Sequence, residues 1–178
     1  MIAFVVCGAT CADALRMNYL EMTHLRDQVY AADKNNNNVA QALQNLRAYV
    51  NSHMNTSLST DNGVYPPIQL KYTYQRLQQA ENDRVQKINS TIYTQAQQTC
   101  EQELTAGHFQ ERIGCIEQYV KDHNAATVRE IPAAMYKFDF ASPSWSPDLA
   151  GISMVLSIAF AILAALRFGG GWALRRLT

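Results

Sequence analysis

The sequence predicts an all-α, membrane-anchored protein: an antiparallel helical bundle or hairpin with one complete C-terminal transmembrane helix and a partial N-terminal one. Three observations predict it. An uncharged, almost wholly apolar run of eighteen residues spans Leu149–Leu166 and is followed by Arg167; at ~1.5 Å per residue it crosses most of a ~30 Å hydrocarbon core. The middle of the chain is rich in Gln, Asn, Ala and Tyr and, from Asp13 on, has no glycine before Gly63. Its apolar residues recur at steps of three and four, the helical period. The chain divides accordingly into residues 1–12, 13–145 (a helical extracytoplasmic domain), 146–168 (the transmembrane helix) and 169–178 (a cytoplasmic tail).

Met1–Ala12 is uncharged but short. A secretory signal peptide is one reading, with Ala12-Asp13-Ala14 as its A-x-A-like cleavage site; the missing basic n-region and the short apolar core stand against it. The favoured reading is the outer part of a membrane helix whose inner half lies upstream of this start. Helical periodicity runs on through Leu15, Met22, Leu25 and Val29, so the first helix extends to about Ala32. Asp33-Lys34 and four consecutive asparagines follow. Four asparagines cost roughly 2–3 kcal/mol against alanine inside a helix, which predicts a break at 33–38 rather than one rod of ~60 Å reaching residue 53. The next helix covers Val39 to about His53, with Val39, Leu43, Leu46 and Val50 on one stripe and Asn38 as its cap.

Residues 55–66 are turn-forming. A long helix is predicted from near Pro67 to Cys100 and beyond. Its stripe is Leu70, Tyr74, Leu77, Glu81, Val85, Ile88, Ile92, Ala96 and Cys100, broken only by Glu81. A short helix at Cys115–Lys121 and a mostly extended stretch from Asn124 to Pro147 complete the exported part. Within that stretch Met135–Phe140 alternates like a strand. No internal repeat stands out. The C-terminal helix has Ser146 as N-cap, Pro147 at the first position and Asp148 at the positive end of the dipole. Trp145 and Trp172 flank it as interfacial aromatics, and Arg167, Arg175 and Arg176 predict a cytoplasmic C-terminus.

Lys+Arg and Asp+Glu balance at 15 each, a formal net charge of zero, so nothing electrostatic recommends nucleic acid as a partner. Cys100 and Cys115 lie in the exported part, and a bridge closing that loop contributes about 3 kcal/mol through the unfolded state. Cys7 and Cys11, one helical turn apart, lack the small residue before them that a lipobox requires. Asp33, Asn35 and Asn37 fit positions 1, 3 and 5 of a calcium loop, but Asn38 and Gln44 fail positions 6 and 12. His24, His53, His108 and His123 show no metal spacing, and no metal or cofactor is expected. Asn55-Thr56-Ser57 and Asn89-Ser90-Thr91 fit glycosylation sequons, which matter only in a eukaryotic secretory setting. No G-x-S-x-G, P-loop, Rossmann or zinc-protease motif is present, so the chain reads as non-enzymatic. Aromatic residues are more numerous than such a bundle needs, and Tyr72, Tyr74, Tyr136, Phe138 and Phe140 are the candidate partner-binding residues.

The segments SHMNTSLS (52–59), YPPIQLKYTYQRL (65–77), CIEQYV (115–120) and YKFDFASPSWSPDLAG (136–151) resemble those of small bacterial membrane proteins with two transmembrane helices around a helical extracytoplasmic domain. The resemblance implies residence in the bacterial cytoplasmic membrane and an upstream half-helix, and it carries no activity. The preferred reading is a module anchored in the lipid bilayer that binds a protein or envelope component, or a second copy of itself. A sensor-like variant lacks its own signalling domain. The alternative is a small-ligand or metal-binding domain with a pocket between helices, using His24, His53 or Tyr72.

Overall fold

The computed structural model describes residues 2–58, 63–103 and 109–177, the side chains of residues 103, 109 and 168–177 excepted. It is mostly helical: α1 (Ile2–Asn35), α2 (Val39–Ser52), α3 (Lys71–Glu103), α4 (Phe109–Asp122) and α5 (Leu149–Leu177). A ladder of two-residue strands, β1 (Ile68–Gln69) and β2 (Lys137–Phe138), pairs antiparallel with Ile68 opposite Phe138. The chain forms two compact units, Met1–Leu70 with Lys137–Thr178, and Lys71–Tyr136.

In the first unit α1 contacts both α2 and α5. Met22 and Val29 on α1, Leu46 and Val50 on α2, and Leu58, Ile68 and Leu70 are buried there. The asparagine run breaks the rod, and the break is narrower than residues 33–38. Asn36 takes the left-handed conformation (φ 52°), Asn37 N–H donates to the Ala32 carbonyl (3.1 Å) and Asn36 N–H to that of Asp33 (3.4 Å). This is a Schellman ending, with asparagine where glycine is usual. Asn38 does precede α2, but it is also left-handed (φ 51°) and its side chain makes no capping bond. Asparagine is there for its tolerance of positive φ and not for its amide oxygen.

The long helix begins at Lys71, later than the prolines indicate, because Ile68 and Gln69 commit their main chain to β2. In the second unit α3 packs on α4, and Ala96 and Cys100 are its buried apolar residues. The helix expected at Cys115–Lys121 is longer, starting at Phe109. Of the alternating stretch Met135–Phe140 only Lys137–Phe138 is strand; Ala133–Met135 is a 3-10 turn.

Each unit carries a long helix followed by a short one, and the two short helices end alike, a likeness that does not stand out in the sequence. Leu43, Leu46, Tyr49, Val50 and His53 answer Ile113, Ile116, Tyr119, Val120 and His123 in register. In both, the histidine stacks on the tyrosine one turn back, with ring centroids 4.1 and 3.9 Å apart. Its Nδ1–H donates to that tyrosine's carbonyl at 3.1 and 2.9 Å, beside the bond the same carbonyl accepts from the histidine's backbone N–H. A left-handed asparagine follows each histidine, Asn55 (φ 59°) and Asn124 (φ 49°). An asparagine on each long helix then holds the outgoing segment: Asn18 Nδ2 donates to the Met54 carbonyl (3.2 Å) and Asn89 Nδ2 to that of Ala126 (3.1 Å).

Leu46 is fully buried on α2. Leu46→Ala is expected to lower the unfolding free energy by about 2–4 kcal/mol, read from urea denaturation of the detergent-solubilised chain. A loss below about 1 kcal/mol would show that the site collapses around the cavity.

Candidate functional site

Two polar constellations stand out, one in each unit. In the first unit the start of α5 is gathered by Asp148. Its Oδ1 accepts the Gly151 N–H at 2.9 Å, and its carbonyl accepts the Ile152 N–H at 3.0 Å. Asp148, and not Ser146, is therefore the N-cap. Ser146 instead bridges: its hydroxyl donates to Asp148 Oδ1 (2.8 Å) and accepts the Met54 N–H (3.1 Å), and it is 1% exposed. Asn18 Nδ2 on α1 donates to Asp148 Oδ2 at 2.8 Å. Asn55 Nδ2 donates to the Leu15 carbonyl at 3.1 Å. Trp145 stays half exposed, with its indole N–H on the Gly151 carbonyl at 3.2 Å. Gly151 admits no side chain, since a Cβ there would collide with the Ser146 carbonyl.

Below this junction α1 and α5 run antiparallel, as Asn18–Asp148, Cys11–Ala150 and Gly8–Ser157 show in turn. Small residues line the seam: Gly8, Cys11 and Ala14 on α1, with Ala150, Ser153 and Ser157 on α5. Cys7 and Cys11 are free and partly buried, and the Cys11 thiol donates to the Ala150 carbonyl at 3.6 Å. The rest of α5 is bare. Among the described residues, Leu149–Arg167 is the helical stretch long and apolar enough to cross a membrane, and only 17% of it is buried. Ile152, Val155, Ile158, Ile162, Leu163 and Leu166 are all exposed, as is Arg167. On α1, Ile2, Val5 and Val6 are exposed too. The side chains of Trp172, Arg175 and Arg176 lie outside the described residues, as do His108 and Gly107.

Of the candidate aromatic residues, Tyr72, Tyr74 and Tyr136 belong to the second unit and Phe138 and Phe140 to the first. Tyr72 is exposed. Tyr74 and Tyr136 pack on each other, ring centroids 4.7 Å apart. Phe138 pairs with Ile68 across the ladder. Phe140 lines a cavity of about 300 Å³ with Leu58, Val64, Tyr65 and Asp139. Cys100 and Cys115 are at disulfide distance, Cα–Cα 6.0 Å, joining α3 to α4. His24 is solvent-exposed, and among the described residues no cluster of three metal-ligating side chains forms.

The second constellation lies on α3. Arg84 grips Glu81 through Nε (2.7 Å) and Nη2 (2.6 Å). Together they hold the segment that leaves α4. Arg84 Nη2 donates to the Thr127 carbonyl (3.1 Å), and Glu81 Oε1 accepts the Arg129 N–H (2.9 Å). Asn89 holds both main-chain groups of Ala126, Nδ2 donating to its carbonyl at 3.1 Å and Oδ1 accepting its N–H at 2.8 Å. The Arg84 side chain first, and the Arg129 N–H second, push the Glu81 carboxyl down to about 2. Cavities of about 350 and 380 Å³ flank the segment, one beside Tyr74, Gln78 and Tyr136, the other beside Leu77, Ala80 and Met135. The sequence pattern marks Glu81 only as a flaw in an apolar stripe and Asn89 only as a sequon. The detectable signal was the Glu81/Arg84 spacing, which suits an ion pair on a helix.

No family model matches the chain, and neither a curated protein nor a solved structure does.

Two outcomes follow. Asp148→Ala removes the cap and leaves the Gly151 N–H unbonded, so the first turn of α5 is expected to exchange amide hydrogens about tenfold faster, in line with ~1–2 kcal/mol for a lost cap; Asp148→Asn retains acceptors and restores most of the protection. Glu81's folded pKa lies below its unfolded one, so its stabilising effect is present above the ordinary carboxylate range and fades as pH falls towards about 2. The protection factor of the Arg129 amide should drop over that window, and Glu81→Gln should flatten the pH dependence.

Proposed function

We propose that this chain is a membrane-anchored helical module whose exported part binds a protein or envelope component. The observation that carries the anchoring is α5 itself: nineteen residues, Leu149–Arg167, of which 17% are buried. A core helix of a soluble protein hides such a surface, whereas here most of it faces outward, and exposed apolar area of that extent is expelled from water. A bilayer is the solvent that accepts it. The small-residue seam between α1 and α5 supports the same reading, because helices in lipid associate through close packing of small side chains. Arg167, Arg175 and Arg176 orient the helix with its C-terminus in the cytoplasm. Cys100 and Cys115, at bonding distance, then lie on the oxidising side. Exposed Tyr65, Tyr72 and Tyr93 support binding by the exported part, since tyrosine is favoured at protein interfaces.

Alkaline carbonate should leave the chain in the membrane pellet. Protease added outside right-side-out vesicles should destroy residues 13–145 while sparing a C-terminal tag. Release of intact chain into the supernatant would sink the anchoring, and crosslinking in native membranes that recovers no partner would sink the binding.

A further inference from the structure

α1 is covered on one side only. Ala14, Asn18, Met22, Val29 and Asp33 are buried; at ~100° per residue they share one face, and α1 packs on α5 and α2. The opposite face is bare: Ile2, Val6, Ala9, Asp13, Arg16 and Leu20 are all exposed. Their spacing alternates between four and three, the period of a left-handed helix pair. Val6, Asp13 and Leu20 take one seam position of the heptad, and Ile2, Ala9 and Arg16 the other. Two charges stand in this stripe. Asn18 bonds the cap of α5, and Asp13 lies about a turn and a half, ~7.5 Å, further towards the lipid. The Cys11 thiol, just beyond, reaches the Ala150 carbonyl, inside the Leu149–Arg167 span. Asp13 and Arg16 therefore sit at the outer edge of the hydrocarbon, where a charge without a partner is unfavourable. They are one turn apart, yet among the described residues neither side chain makes a hydrogen bond or an ion pair.

We propose that this bare face of α1 pairs with the same face of a second copy of the chain, in a parallel dimer where Asp13 of each copy meets Arg16 of the other; this rests on the anchoring reading above. Both copies enter the membrane with one orientation, so the twofold axis runs along the membrane normal and the interface has to complement itself. In a parallel pair the Asp13 side chain enters a hole bounded by Ala9, Ala12, Asp13 and Arg16 of the second copy. The two alanines leave room, and each carboxylate faces a guanidinium across the axis. The guanidiniums also offset the closeness of the two carboxylates, and the four charges sum to zero. Charge decides the occupant. The stripe supplies one acid and one base a turn apart, in the register at which a twofold axis brings them together; a foreign helix would have to carry the same pair at the same depth.

The test uses the full chain in proteoliposomes, with donor and acceptor fluorophores on C-terminal tags. Energy transfer is expected from the wild type and should fall on dilution with lipid. D13R and R16D each set like charges across the axis and should weaken association about tenfold, the size of two lost charge pairs. Reconstituted together, a D13R copy and an R16D copy should regain wild-type association, because one presents two bases and the other two acids. D13R/R16D in a single chain should regain it too. Circular dichroism and carbonate extraction check that each variant stays helical and membrane-bound. Wild-type transfer no higher than random proximity gives, equal transfer in D13R and wild type, or single variants that fail to rescue each other would each overturn the proposal. So would a dimer dissolved by I158W on α5 and not by D13R, or crosslinking from A9C in native membranes that traps a different chain. A monomer that stays in the carbonate pellet removes the dimer and leaves the anchoring intact, whereas release into the supernatant removes the anchoring itself.

Discussion

The Asp148 carboxylate is the point on which the first unit depends. An apolar helix must begin somewhere, and its first N–H groups have no partners within the helix. Here one carboxylate accepts the Gly151 N–H, the Asn18 amide and the Ser146 hydroxyl, while Ser146 takes the Met54 N–H. The start of α5 is thereby tied to α1 and to the exit of α2. Removing any one donor leaves the others in place; removing the acceptor strands them all, and unmet buried donors cost about 1–3 kcal/mol each. The requirement is strictest if α5 enters lipid, where water cannot substitute. Gly151 belongs to the same arrangement, because only the absence of a side chain lets the Ser146 carbonyl come so close.

Much of the helical layout was legible because it follows from period and composition. The apolar stripes marked α2 and α3, and the uncharged run marked α5. The break between α1 and α2 was legible too, but the means by which asparagine makes it was not. Asparagines 36 and 38 stop and start helices through backbone conformation (φ 52° and 51°) and not through capping bonds. Sequence shows that a residue tolerates positive φ; it does not show which of four neighbours adopts it. The same limit hid the likeness of the two short helices. Its shared signature is a tyrosine, a histidine four residues on and an asparagine shortly after, too sparse to stand out against the dissimilar long helices. It becomes visible only when both histidines stack on their tyrosines and bond the same carbonyl.

The candidate site was less legible, and the reason is physical. Tyrosines and phenylalanines attract attention because they bury area, and several of these do so within the chain: Tyr74 against Tyr136, Phe138 across from Ile68. The groups that organise the second unit are Glu81, Arg84 and Asn89, whose partners are main-chain atoms some forty residues away. Main-chain partners have no residue type, so no pattern in the sequence announces them.

That same anonymity has a physical consequence. Glu81, Arg84 and Asn89 hold the segment after α4 through its N–H and C=O groups alone, which fixes the path of the chain there whatever side chains it carries. The grip is itself organised by charge: Arg84 binds both oxygens of the Glu81 carboxylate, and the Arg129 guanidinium acts on the same group. A carboxylate so surrounded stays ionised and keeps accepting the Arg129 N–H, so one ion pair on α3 decides whether the main chain beside it is held.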